Sequence, residues 1–302
     1  MVVETRAQRP RWAFFLKAGF VAAALIGAAY LLHSRWNEVT EALRLFGYGD
    51  IALSAIAACA HIGFSLLAWM VLAKKGDVAL RTLPALRIFF FSQIGKYIPG
   101  SVWQFLAAAQ LGHDEGMSRR GVLASFAFAL LAAIVAGGVL VLAVLPFSFA
   151  GTQPGGWGWA ASALLPLVVF FPAVLLRIAS LAKLNTVPST LRLAASTAIS
   201  AGTWLAGGAM LLLLARGLTV PVAPEDILVY SAIYAAAWIT GFLVFFAPAG
   251  LGARETAMIA LLSVLMPLPH ATIVALLSRV LVTCADFLAA GLTLTFTRAP
   301  DV

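Results

Sequence analysis

Six ionisable side chains interrupt otherwise apolar stretches of this 302-residue chain: Lys17, Lys96, Arg254, Glu255, Arg279 and Asp286. A charge held away from water is costly unless it is paired, hydrated or put to use, so each is a candidate for function. Lys17 sits near the end of its segment, where its methylene stem lets the ammonium snorkel to water. Three of the others fall at two Pro/Gly breaks. Lys96 belongs to Gln93-Ile-Gly-Lys-Tyr-Ile-Pro-Gly-Ser-Val-Trp-Gln104, and Arg254 and Glu255 to Phe246-Ala-Pro-Ala-Gly-Leu-Gly-Ala-Arg-Glu255. A guanidinium grips phosphate through two parallel hydrogen bonds, whereas an ammonium acts as a point charge. A helix starting beside each break adds free backbone donors and partial positive charge. Together these groups would make an anion site suited to a phosphate. The plainer reading of Lys96 and Arg254 is a pair of interface anchors.

Arg279 and Asp286 are seven residues apart in the last apolar segment, about two turns along one helical face. They are too far apart to pair with each other. The expectation is Glu255 for Arg279, and Lys96 or Arg254 for Asp286, with a purely structural buried ion pair as the alternative. Glu255 can also cap the short helix it begins, or pair with a base from the other half of the chain. Gln93, Tyr97, Trp103, Gln104 and Gln110 supply polar groups around the first break, although Tyr97 and Trp103 also suit a membrane boundary. His61 is isolated in an apolar stretch and is read as a satisfied buried histidine.

The elements that must position these residues follow from composition. The chain is 62% hydrophobic and 11% charged, with a mean hydropathy of +0.99. Soluble domains carry about 25% charged residues, so this is an integral membrane protein. The net charge of +8 is spread over loops with no basic stripe, which speaks for the positive-inside bias and against nucleic-acid binding. Cys59 and Cys284 are unclustered, and no His, Cys and acid group has metal spacing. No nucleophile motif or nucleotide-type glycine loop is present. Neither a cofactor nor enzymatic activity is expected.

Segments of roughly 20 apolar residues can span a bilayer. Spans are predicted over 12–32, 51–72 and 121–145, then 159–176, 193–215 and 271–296. Between the second and third of each set lies a broken pair: 83–96 with a short helix from a Ser101 N-cap to about residue 111, and 227–246 with a short helix over about 253–265. A polar turn is expected over 112–116, and 147–158, rich in glycine, is the natural midpoint. The fold class is therefore an all-α polytopic membrane protein with about six spanning helices and two broken re-entrant helix pairs. It forms one membrane domain, 1–302, with two inverted repeats over about 12–146 and 159–296. If each broken pair enters and leaves on one face, the loops assigned to the cytoplasm hold thirteen Lys or Arg and the external ones three, which fits the positive-inside rule. Both termini are then cytoplasmic. Helices broken at matching places in two halves point to a transporter binding site near the bilayer midplane.

Lys96-Tyr-Ile-Pro-Gly-Ser-Val-Trp103 and Pro248-Ala-Gly-Leu-Gly-Ala-Arg-Glu255 resemble the two signature stretches of the lysylphosphatidylglycerol synthase transmembrane, or flippase-like, family. They occur in the same order and spacing, and the layout is similar over nearly the whole chain. That family includes the membrane half of bacterial multiple peptide resistance factors, which moves aminoacylated phospholipid between leaflets. The resemblance implies lipid translocation in a bacterial-type inner membrane, with Pro99, Gly100, Gly250, Gly252, Arg254 and Glu255 in the matching motifs. The chain ends at Val302 with no soluble synthase domain, so a stand-alone member without aminoacyl transfer is expected, and its lipid need not be a lysyl-lipid. The predicted partner is a membrane phospholipid, and the predicted binding set is Lys96, Tyr97, Pro99, Gly100, Trp103, Gln104, Gly250, Gly252, Arg254, Glu255, Arg279 and Asp286. The alternatives are a secondary transporter of a small soluble anion, or an accessory partner of a membrane lipid or glycan synthase.

Overall fold

Long apolar runs with few breakers form long helices, and the breakers decide where those helices stop. The fold is that of a computed structural model, which describes residues 46–75, 78–97, 102–149, 187–244, 250 and 252–297. In chain order the elements begin with α1 (Tyr48–Met70) and a two-residue antiparallel pair, β1 (Lys74–Lys75) and β2 (Val78–Ala79). Then come α2 (Thr82–Ile94), continued by a 3-10 turn (Gly95–Tyr97), α3 (Trp103–Asp114) and α4 (Arg119–Phe149). The second half holds α5 (Thr190–Gly217), a 3-10 turn (Pro224–Asp226) leading into α6 (Ile227–Leu243), α7 (Ala253–Leu262) and α8 (Leu268–Thr297). The protein is thus all-α and polytopic, with the β pair the one extended feature among the described residues.

Among the described residues, five helices are long and apolar enough to cross a membrane: α1, α4, α5, α8, and α6 with its preceding turn, Pro224–Leu243. The first four match predicted spans. The fifth occupies the first limb of the predicted second broken pair; α6 itself has 17 residues, against 13 in α2 at the corresponding place of the first half. The spans predicted over 12–32 and 159–176 lie outside the described residues. Two boundaries move. α4 runs past the predicted end at Leu145 as far as Phe149, carrying Pro146 inside it. α3 absorbs most of the predicted polar turn and reverses only at Gly116, whose φ is 79°.

The core is built on α1 against α5, with α6 lying on α5 and α4, and α8 on α1, α2, α5 and α7. Small residues permit close approaches: a Cβ at Gly207 of α5 would strike the Tyr234 ring of α6, and one at Gly208 would strike Ser231. Side-chain hydrogen bonds tie helix to helix, each worth about 0.6 kcal/mol in a bilayer. Ser196 Oγ donates to the Ala68 carbonyl at 2.9 Å, Trp204 Nε1 to the Ala133 carbonyl at 3.0 Å, and Trp69 Nε1 to Ser125 Oγ at 3.0 Å.

At the first break, a Cβ on Gly95 would lie 2.6 Å from the backbone nitrogen of Gln104, so the two limbs touch at their tips. Near the start of α2, Arg87 meets Glu115 just beyond α3 at 3.4 Å. Contacts at both ends make α2 and α3 an antiparallel pair. At the second break, Gly250 and Gly252 hold φ of 71° and 86°, a left-handed conformation that β-carbon sterics deny most residues. Gly250 lies against Gly241 of α6, and a Cβ on Gly241 would lie 2.8 Å from that of Arg254. α7 is therefore folded back onto the end of α6 with almost no space between backbones.

Candidate functional site

The last helix collects charges from both breaks. Lys96, in the turn that ends the α2 limb, places Nζ 2.6 Å from Asp286 Oδ2 on α8. The hydroxyl of Tyr97 donates to the same oxygen at 2.6 Å and lies 3.3 Å from Thr283 Oγ1. Asp286 is only 1% exposed, and a carboxylate so buried needs such donors to remain ionised. Two turns along α8, Arg279 Nε meets Glu255 Oε1 at 2.6 Å. The other carboxylate oxygen of Glu255 accepts from the backbone N–H of Gly252 at 2.7 Å, satisfying an orphan donor at the start of α7. Both pairings proposed from the sequence for α8 are thus present. Glu255 does two of the jobs considered for it at once, capping and pairing, and its partner comes from its own half of the chain.

Arg254 is different. It is 6% exposed, its Nε meets no hydrogen-bond acceptor, and no carboxylate among the described residues pairs with it. Its guanidinium carbon sits 4.9 Å from the centroid of the Tyr234 ring, a cation–π contact. Tyr234 is itself held from behind. Its ring meets His61 edge-on at 5.1 Å, and its hydroxyl lies 3.4 Å from His61 Nε2. His61 Nδ1 is 3.0 Å from the Thr203 carbonyl, which can only accept, so that nitrogen carries the proton and Nε2 is left to receive the Tyr234 hydroxyl. His61 is the satisfied buried histidine that the sequence suggested, and it also steadies the ring under Arg254.

Lys96, Arg254 and Arg279 are close enough to repel one another. Among the described residues, three cations in this region face the two carboxylates Asp286 and Glu255, and Arg254 is the cation left over. An assembly with one surplus positive charge, buried in apolar surroundings, is chemically prepared to accept an anion.

The other predicted site residues are distributed around this cluster. Gly250 and Gly252 shape the second break. Gln104 lies under Gly95 through its backbone. Trp103 opens α3 and lines an apolar cleft, with about half of its surface exposed. α3 begins at Trp103 with Val102 in the capping position and no side-chain cap, one residue later than a Ser101 cap would have it. Pro99, Gly100, Ser101, Pro248 and Lys17 lie outside the described residues. Sequence reasoning did not single out Tyr234 or Thr283. The signal for Tyr234 was its hydroxyl in an apolar segment, which calls for a buried partner.

Over residues 16–290 the chain matches the family described as Lysylphosphatidylglycerol synthase TM region. It belongs to that family. No curated protein matches the chain. The stretch shared with the lysylphosphatidylglycerol synthase TM region family runs through both breaks and most of α8, so every charged residue of the cluster lies inside it. What matches is the membrane region of the synthase family, which is its non-catalytic, flippase-like part. Among the described residues no group of three His, Cys, Asp or Glu could hold a metal ion. Membership supports a flippase-like, lipid-moving transporter in general terms.

Proposed function

We propose that the protein moves a phospholipid or lipid-linked head group between leaflets of a bacterial-type inner membrane through the polar centre between its two breaks. The observation that carries this reading is Arg254: a buried guanidinium at the N-terminus of α7, without a carboxylate partner among the described residues, in a cluster whose described charges leave one positive charge to spare. A lipid phosphate supplies the missing anion. Arg254 holds it, with Lys96 as a second cation once its contact with Asp286 loosens. Asp286 and Glu255 balance charge, or receive the amine of a zwitterionic or aminoacylated head group. The hydrocarbon tails stay in the bilayer, so the protein moves only the polar end through its interior.

The proposed architecture is two inverted repeats with re-entrant broken pairs and both termini in the cytoplasm. Its support is the packing: exchanging α1–α4 with α5–α8 maps observed neighbours onto observed neighbours. α1 on α5 maps onto itself, α4 on α6 becomes α8 on α2, and α4 on α5 becomes α8 on α1. Ion pairs join residues assigned to the same side: Arg216 with Asp50 outside at 2.7 Å, Arg87 with Glu115 inside. Rocking of one half against the other would alternate access to the centre.

Leaflet exchange of labelled anionic, zwitterionic and aminoacylated phospholipids in liposomes holding the purified protein tests this. Faster exchange of one class with wild type, lost in Arg254→Ala, is the expected result. Wild-type rates in Arg254→Ala would overturn the phosphate role. Absence of exchange for every lipid, with folded protein in the bilayer, would overturn lipid transport in favour of a soluble anion or an accessory role.

A further inference from the structure

An apolar cleft of about 600 Å³ lies between α2, α3 and α8, against the charged cluster but outside it. Its walls include Ile94, Trp103, Leu106, Phe287, Gly291 and Leu294. The volume is that of a ligand pocket, yet the lining is nearly all hydrocarbon, and Trp103, Leu106, Phe287 and Leu294 are each about half exposed. We infer that this cleft seats one acyl chain of the lipid whose head group occupies the charged centre, an assignment that rests on the lipid-moving reading above.

Three observations select that occupant. First, cleft and cluster are continuous. Ile94 and Gly95 run directly into Lys96, and Phe287 follows Asp286. Second, the boundary between them is amphipathic. The Tyr97 ring stacks on Phe287 at 5.6 Å while its hydroxyl bonds Asp286, so one side chain faces hydrocarbon and charge at once. A phospholipid has that same division, charge at one end and an alkyl chain attached to it. Third, the floor has been left open. A Cβ on Gly291 would meet nothing within 4 Å, whereas one on Gly95 would strike the backbone of α3. Gly95 is small for packing reasons, while at Gly291 no described residue fills the space.

The cleft extends from Phe287 to Leu294, about two turns of α8 away from the cluster. On the proposed topology it runs toward the cytoplasmic face. A lipid with its head at the cluster and one tail in the cleft therefore has the orientation of the outer leaflet, and the cleft holds the outward-oriented stage of the cycle.

Gly291→Leu is the discriminating variant, because it projects into the cleft from a helical position where an added Cβ meets nothing within 4 Å. Gly63→Leu on α1, also with nothing within 4 Å of the added carbon, is the matched control. Purified full-length protein in lipid nanodiscs would be exposed to phosphatidylglycerol or phosphatidylethanolamine bearing a diazirine on one acyl chain, and to diacylglycerol bearing the same chain without a head group. Label sites are read by mass spectrometry. We expect a phospholipid probe to label the cleft walls above the exposed α1 residue Leu67, and diacylglycerol to label both alike. Gly291→Leu removes the excess. Lys96→Ala lowers it about tenfold, the step that corresponds to one charge-assisted hydrogen bond of the head group. Labelling of the cleft no greater than at Leu67, an excess indifferent to head group and to both variants, or no cleft label because the chain's own apolar segments cover it would each overturn the assignment. The two proposals fail separately. Selective cleft labelling without leaflet exchange sinks the transport reading and keeps the cleft. Equal exchange by wild type and Gly291→Leu, with no selective label, does the reverse.

Discussion

The two breaks solve the same steric problem and differ in how they treat charge. At the first, Lys96 is neutralised inside the protein by Asp286, and Tyr97 completes the arrangement. At the second, the acid Glu255 accepts from Gly252 and is ion-paired with Arg279, while among the described residues the neighbouring cation Arg254 meets an aromatic face and no carboxylate. A buried ion pair contributes little net stability, because desolvation offsets the attraction. A buried cation without a counter-charge is worse than neutral for stability, and retaining one makes sense where a ligand supplies the counter-charge. The first break therefore reads as a closed electrostatic unit and the second as one awaiting its anion.

That contrast can be broken from either side. Asp286→Ala makes the first break resemble the second by stranding Lys96. The expected cost is about 3–5 kcal/mol, the penalty for removing one partner of a buried pair, seen as a large fall in thermal stability in detergent. Pairing it with Lys96→Met should recover most of the loss. Arg254→Ala does the opposite and removes the stranded charge. Stability should hold, while head-group affinity falls about 10- to 100-fold, as for a lost hydrogen bond to a charged group. If the two variants destabilise equally, the distinction between the breaks is wrong. Gly95→Ala forces α2 and α3 apart at the tip and should cost about 1–3 kcal/mol by overpacking, with transport reduced in proportion to folded protein. The smallest effect is expected for Tyr234→Phe, which keeps the ring under Arg254 and loses only a long contact to His61, about 0.5–1 kcal/mol in stability. Tyr234→Leu, which removes the ring, should cost more in both stability and affinity.

The long helices and the pairings on α8 were legible in the sequence for one reason: charges inside apolar segments are few, and each needs a partner. With Arg279 and Asp286 on one face of a helix, and one acid and two bases at the breaks, few pairings were open. Less legible was which base Asp286 would take. Lys96 wins with help from Tyr97 and Thr283, whose positions depend on where α2 crosses α8. The support of Arg254 by Tyr234 and His61 was hidden, because it joins α1, α5 and α6 through contacts far apart in sequence. α6 starts where the sequence placed it, at Ile227, after a 3-10 turn opened by Pro224, and ends at Leu243, before the predicted end at Phe246. The apolar cleft left no trace in periodicity, since its glycine and alanine floor reads as ordinary helix-packing sequence.

One further consequence comes from α8. It is a single helix of 30 residues, and both breaks are fastened to it by 2.6 Å ion pairs about two turns apart. A stiff rod clamped at two points transmits displacement between them. If α8 slides or turns far enough to release Lys96, the same motion pulls on Glu255 and, through it, on the backbone beside Arg254. On the proposed transport reading, movement at one break would be coupled to movement at the other through this helix.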